Sequence, residues 1–93
     1  MPIERQKIAR ALSKKHFRLG AGDHDYYWLY VDDVRTGIYT KLSRGEKYRT
    51  IGDGLVKEIA RQIKLQKGEF LEFVQCTLSG DAYVALLKSR NEV

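Results

Sequence analysis

The chain is poor in residues that cross-link or break structure. Cys76 is the only cysteine, which excludes an internal disulfide and any multi-cysteine zinc site. Beside Phe73, Val74 and Leu78 it reads as a small thiol facing the core. Pro2 is the only proline, so nothing after it forbids a regular element. No apolar run is long enough to span a bilayer, and the opening stretch MPIERQKIAR is charged from residue 4, without the apolar segment of a signal peptide. Linkers, repeats and low-complexity tracts are also missing. Together these absences predict one soluble cytoplasmic domain, residues 1–93, with no membrane association and no cofactor.

Charge is abundant but unevenly placed. The net charge is +5. Residues 1–18 hold six Lys/Arg against one acid, and residues 35–67 hold nine against three. Residues 19–34 contain Asp23, Asp25, Asp32 and Asp33 and no base, and residues 68–93 hold two bases against four acids. Basic stripes on a domain of pI 9.4 point to an anionic partner, nucleic acid first. The alternative is a solvated surface with an excess of lysine.

Periodicity assigns the elements. Ile3, Ile8, Ala11 and Leu12 recur near helical spacing, predicting a helix over 3–15. Residues 16–19 alternate as a short strand with Phe17 and Leu19 inward. Gly20 and Gly22 make a turn, and residues 24–31 form the strongest strand, dense in aromatic and branched side chains. Parity divides it: Asp25, Tyr27, Leu29 and Val31 share one face, the core side, while His24, Tyr26, Trp28 and Tyr30 share the other. A large aromatic face can also be the buried one, which leaves the orientation open. Asp32 and Asp33 turn the chain into a third strand, Arg35 to Leu42, with Ile38 and Leu42 inward and Tyr39 and Lys41 outward.

A polar loop broken by Gly45, Gly52 and Gly54 follows. Leu55, Ile59 and Ile63 recur every four residues, predicting a helix over about 54–65 capped by Asp53. A helix over about 67–75 buries Phe70, Leu71 and Val74, and Ser79 caps a last helix carrying Tyr83, Leu86 and Leu87. The fold class is α+β: a three-stranded antiparallel sheet with helices on one face, in the order αβββα, plus extra C-terminal helices.

Several residues bear on chemistry. The stretch GAGDHDYYWLY places His24 between two aspartates after a glycine turn. A histidine there is either a surface or hydrogen-bonded residue or a proton carrier. Metal binding by Asp23, His24 and Asp25 is not expected, because neighbours on a strand point to opposite faces and only the two aspartates share a side. His16, at a helix-to-strand junction, reads as structural. The ladder Tyr26, Trp28, Tyr30 either packs under a helix, stacks RNA bases or meets a protein partner. Lys57, Arg61 and Lys64 form an outward stripe on their helix, suited to phosphate contacts or simply solvated.

A short N-terminal helix, KKHFRL leading into the first strand, a glycine, a polar residue and a histidine opening the second, and a closing helix followed by GEFLEFV resemble the HicA toxin family over residues 5–75. Gly22 falls on the motif glycine, Asp23 where serine or glycine is usual, His24 on the first histidine position and Asp25 on the second. The resemblance implies a double-stranded-RNA-binding-like fold and a small mRNA-cleaving toxin neutralised by a HicB-like antitoxin. It also implies that a histidine of the motif carries the catalysis.

Metal-independent RNA cleavage needs a base for the 2′-OH proton, an acid for the leaving 5′-oxygen and cations on the phosphorane. A histidine does either proton task near neutral pH, with a gain of roughly 10²–10⁴-fold. On this reading His24 is general acid or acid/base shuttle, Asp23 or Asp25 orients its ring, and Lys41 stabilises charge. Tyr26, Trp28 and Tyr39 offer stacking surfaces, and Arg44, Arg49, Lys57 and Arg61 contact phosphates. Against it stand the four aspartates around the hairpin, which repel phosphate. The competing class is a non-catalytic RNA-binding or protein-interaction module on the same fold.

Overall fold

The computed structural model describes residues 2–20, 25–42, 49–75 and 77–93. Gly22, Asp23, His24, Arg44, Gly45 and Cys76 lie outside the described residues. Among the described residues the elements follow in the order β1 (Ile3–Glu4), α1 (Arg5–Lys14), β2 (Phe17–Gly20), β3 (Asp25–Val31), β4 (Val34–Leu42), β5 (Thr50–Ile51), α2 (Asp53–Gln62), α3 (Lys67–Val74) and α4 (Gly80–Ser89). The class is α+β, as expected.

The three-stranded sheet is antiparallel, in the order β2-β3-β4. Its centre is β3, pairing Phe17↔Leu29 on one side and Trp28↔Tyr39 on the other. The β3–β4 connection is a two-residue turn with Asp32 and Asp33 both at positive φ, 52° and 63°. Aspartate tolerates that region better than most residues, and the mirror-image turn matches the twist of the flanking strands. Between Trp28 and Tyr30 the register slips. There Thr36 Oγ1 donates to the Leu29 carbonyl at 2.9 Å and accepts from the Ile38 amide at 3.2 Å, satisfying groups that the slip takes out of the ladder.

One face of the sheet is buried. Phe17, Tyr27, Leu29, Ile38, Thr40 and Leu42 point into a core completed by Ile8, Ala11 and Leu12 of α1, Val56, Ile59 and Ala60 of α2, Phe70 and Phe73 of α3, and Tyr83 and Leu87 of α4. The parity reading of β3 and β4 therefore holds. Phe17, Phe73 and Tyr83 form an aromatic knot, with ring centroids 5.1–6.2 Å apart. Polar groups that enter this interior have partners. Thr40 donates to Gln62 Oε1 at 2.6 Å, tying β4 to α2, and the Tyr83 hydroxyl donates to the Ile63 carbonyl at 2.8 Å.

Several expectations need correction. Ile3 and Glu4 are not helical: they pair antiparallel with Thr50 and Ile51, inside the stretch expected to be loop. That pairing joins segments almost fifty residues apart, and a two-residue strand leaves no periodicity to read. Leu19 shares the inward parity of Phe17 but is 59% exposed. Leu55 is exposed and Val56 buried. A four-residue spacing advances 400°, so the stripe drifts, whereas Val56, Ile59, Ala60 and Ile63 keep the 3-and-4 alternation of one helix face. Gly52, not Asp53, occupies the N-cap of α2. Leu71, Val74 and Leu86 are only partly buried; Phe73, which the reading passed over, is fully buried. Ser79 does cap α4, its hydroxyl accepting from the Ala82 amide at 3.1 Å.

Candidate nucleic-acid interface

The face of the sheet opposite the core carries aromatics and cations: Tyr26, Trp28 and Tyr30 are half-buried there, and Tyr39, Arg18, Arg35 and Lys41 are exposed. Strand parity puts Tyr26, Trp28 and Tyr30 of β3 there. Across the ladder, Lys41 stands opposite Tyr26, Tyr39 opposite Trp28, Arg35 opposite Tyr30, and Arg18 of β2 opposite Trp28. The Trp28 and Tyr39 rings are stacked, with centroids 4.5 Å apart and planes at 25°. Tyr26 continues the row at 6.3 Å from Tyr39. The Arg35 guanidinium lies 4.6 Å from the Trp28 centroid and that of Arg18 lies 4.2 Å from Tyr30, both within cation–π range. The register slip lets Arg35 of β4 sit diagonally over Trp28 rather than straight across.

Glycine at position 20 has a steric reason. A Cβ there would meet the Trp28 indole at 3.3 Å, so the missing side chain gives the ring its place. Arg18 also pairs with Asp33 of the hairpin turn at 2.6 Å, through exposed side chains. Arg35 and Lys41 have no carboxylate partner among the described residues. The surface thus combines flat rings with cations held near them. Such a surface can stack unpaired bases and meet the phosphates between them.

The other site candidates are placed as follows. Asp25 lies on the inner face, its carboxylate ion-paired with Arg5 of α1, and both side chains are largely buried. Beside it the Tyr27 phenol is held above its ordinary pKa, first by burial and then by the Asp25 carboxylate. Asp25 and Lys41 therefore sit on opposite faces, in neighbouring rows of the same ladder. Two of the four hairpin aspartates, Asp25 and Asp33, are charge-paired with arginines, which softens the expected repulsion of phosphate.

Lys57 and Arg61 lie on α2, the helix that covers the inner face of β4, and so are remote from the ladder. Lys57 pairs with Asp53 at 3.8 Å, and Arg61 with Glu58. Lys67 is the tighter partner of Asp53, at 2.5 Å, and that contact depresses the Asp53 carboxyl far below the usual range. Arg49 is exposed, and its carbonyl accepts from the Arg5 amide at 2.8 Å. Asp23, His24 and Arg44 fall outside the described residues. Arg18 and Arg35 were missed as site residues. Their signal was cross-strand: once β2 and β4 are aligned on β3, their parity places them beside the rings.

No group of three metal-binding side chains gathers among the described residues, and no described helix is long and apolar enough to cross a membrane. Comparison with known protein families, with curated proteins and with solved structures returns no match.

Proposed function

We propose that this chain is a HicA-like domain: a small RNA-cleaving toxin of a type II toxin–antitoxin pair, working in the cytoplasm without metal on a double-stranded-RNA-binding-like αβββα fold extended by C-terminal helices. The observation that supports RNA as partner is the open sheet face, where the Trp28–Tyr39 stack is flanked by Arg18, Arg35 and Lys41. Base stacking on such rings is worth roughly 1–3 kcal/mol per base and is tolerant of sequence. An mRNA strand lies on this face with its phosphates toward the arginines and Lys41. His24 then carries the proton from the 2′-hydroxyl to the leaving 5′-oxygen, Asp23 orients its ring, and Lys41 meets charge on the phosphorane. The bond from the 2′-oxygen to phosphorus forms as the bond to the 5′-oxygen breaks, leaving a 2′,3′-cyclic phosphate and a free 5′-hydroxyl. A HicB-like antitoxin silences the toxin by covering the same aromatic face.

One observation favours a second reading, a non-catalytic RNA-binding or protein-interaction module. The position of the second motif histidine is Asp25, and its carboxylate is engaged by Arg5. The deciding experiment incubates the purified chain with RNA in excess chelator, beside His24→Ala. The toxin reading expects cleavage that survives chelation and disappears in the variant, together with growth arrest on expression of the parent chain alone. RNA binding without cleavage in either protein selects the second reading.

A further inference from the structure

A groove of about 270 Å³ runs between α4 and the end of β3, lined by His16, Tyr30, Val31, Asp32, Asp81, Val84, Ala85 and Lys88. We propose that it is a single-nucleotide subsite: it takes one unstacked base of the bound strand, with that nucleotide's phosphate at Lys88. The choice of a nucleotide rests on the RNA reading above.

Four features carry it. Tyr30 belongs to both surfaces, since its ring lies under Arg18 on the open face and it also lines the groove. A strand stacked on Trp28 and Tyr39 must therefore pass Tyr30 and turn round the end of β3 to enter the groove on the α4 side. The apolar part of the lining is Val31, Val84 and Ala85, which the face of a base can contact, with Asp32 beside them. One end is polar: His16 Nε2 lies 3.0 Å from Asp81 Oδ1, offering a ring nitrogen and a carboxylate side by side. The edge of a base, with its adjacent donors and acceptors, is read by such groups. The other end is Lys88, two turns further along α4 and without an ion-pair partner among the described residues. Seven residues of helix separate the two ends by roughly 10 Å, about the reach from a base edge to its phosphate.

The local backbone holds this arrangement. His16 is at φ 74°, in the left-handed region, an outlier of the kind that gathers at functional sites. Its carbonyl accepts from the Tyr30 amide at 2.9 Å, fixing it against β3. Gly80 lets α4 approach, because a Cβ there would meet both His16 Cδ2 and Lys15 Cα at 3.0 Å.

The test is an NMR titration of the full chain with adenosine 3′-monophosphate, uridine 3′-monophosphate, free adenosine and a ten-nucleotide single-stranded RNA. Lys88→Gln and Asp81→Asn are run in parallel; both side chains are solvent-facing, so neither change removes core packing. Saturable shifts at Val31, Val84, Ala85 and Lys88 are expected with the nucleotides and the RNA. Lys88→Gln should weaken nucleotide binding about tenfold, the scale of one charge-assisted contact, and leave adenosine binding unchanged. Asp81→Asn should weaken all the base-containing ligands. RNA shifts confined to Trp28, Tyr39 and Tyr26 overturn the subsite and leave the RNA reading standing. Lys88-dependent nucleotide shifts with no RNA bound uphold the groove as a nucleotide site and overturn the RNA reading. Absence of groove shifts with every ligand overturns the subsite.

Discussion

Lys15 and Phe73 meet twice. The Lys15 ammonium donates to the Phe73 carbonyl and lies 4.7 Å from the centroid of the same residue's ring, and a second N–H reaches the Leu78 carbonyl at 2.8 Å. Lys15 is only 6% exposed and has no carboxylate partner among the described residues. It ties the end of α1 to the end of α3 and the link into α4, where carbonyls are left without helical partners. Lys15→Met keeps much of the stem and removes all the donors. The expected loss is about 2 kcal/mol, from orphaning buried carbonyls and losing the cation–π contact. Urea unfolding followed by circular dichroism measures it, and an unchanged midpoint would show the contact to be neutral.

A second prediction concerns acid. Arg90 grips Glu69 through two N–H groups, at 2.5 and 3.1 Å, and Glu69 also accepts from the Gln66 amide at 2.9 Å. The Arg90 contact first, then the amide, holds the Glu69 carboxyl below its ordinary range. A depressed folded-state value means that the stabilisation is present above the unfolded glutamate value, near 4.3, and is lost as pH falls through the folded value. Glu69→Gln should cost stability at pH 7, about 1 kcal/mol or less because the pair is partly exposed. It should also flatten the decline of Tm below pH 4.5. Parallel Tm curves for the two proteins across pH 3–7 would contradict this.

The ladder makes a quantitative prediction for RNA. Trp28→Ala should weaken single-stranded RNA binding by roughly 10–100-fold, the scale of one or two stacked bases. Arg35→Ala and Lys41→Ala should each lower the slope of log affinity against log salt by about 1, with little change in sequence preference. Filter binding at four salt concentrations separates the two effects. Equal losses for all three variants at every salt concentration would argue against the stacking role.

Two leucines on the same sheet face should behave oppositely. Leu29 is fully buried at the centre of β3, so Leu29→Ala leaves a cavity and should cost about 2–5 kcal/mol. Leu19 pairs with Tyr27 on the same face, yet it is open to solvent. Leu19→Ser should stay within about 0.5 kcal/mol of the parent chain. Denaturation midpoints decide, and a large loss at Leu19 would mean that something covers it.

Sequence pattern carried much of this architecture. Period-two alternation over residues 25–42 located two strands and told their faces apart, because a half-buried sheet imposes that period on every residue. Ser79 announced α4 because capping is a local act between a hydroxyl and an amide three residues on. What stayed hidden depends on distant partners. The pairing of Ile3 with Ile51 and the Lys15 contacts to Phe73 and Leu78 leave no trace in a local window. Leu19 obeyed its parity and still met water, since parity names a face but says nothing of how far the helices extend over it. For the candidate site, Tyr26, Trp28, Tyr39 and Lys41 were legible from their own strands. Arg18 and Arg35 needed the cross-strand register, and the His16–Asp81 pair needed the packing of α4 against the sheet.

The slip between Trp28 and Tyr30 makes the surface chemistry of β4 a matter of counting as much as of composition. Two additional residues on β4 preserve which side each later side chain takes, so lengthening or trimming the bulge by a pair would leave rings and cations outward and merely slide Arg35 along the row. A single inserted or deleted residue would instead turn the residues on one side of the change over, sending arginine or tyrosine toward the oily interior and isoleucine to water. Variation in this segment should therefore come in even steps.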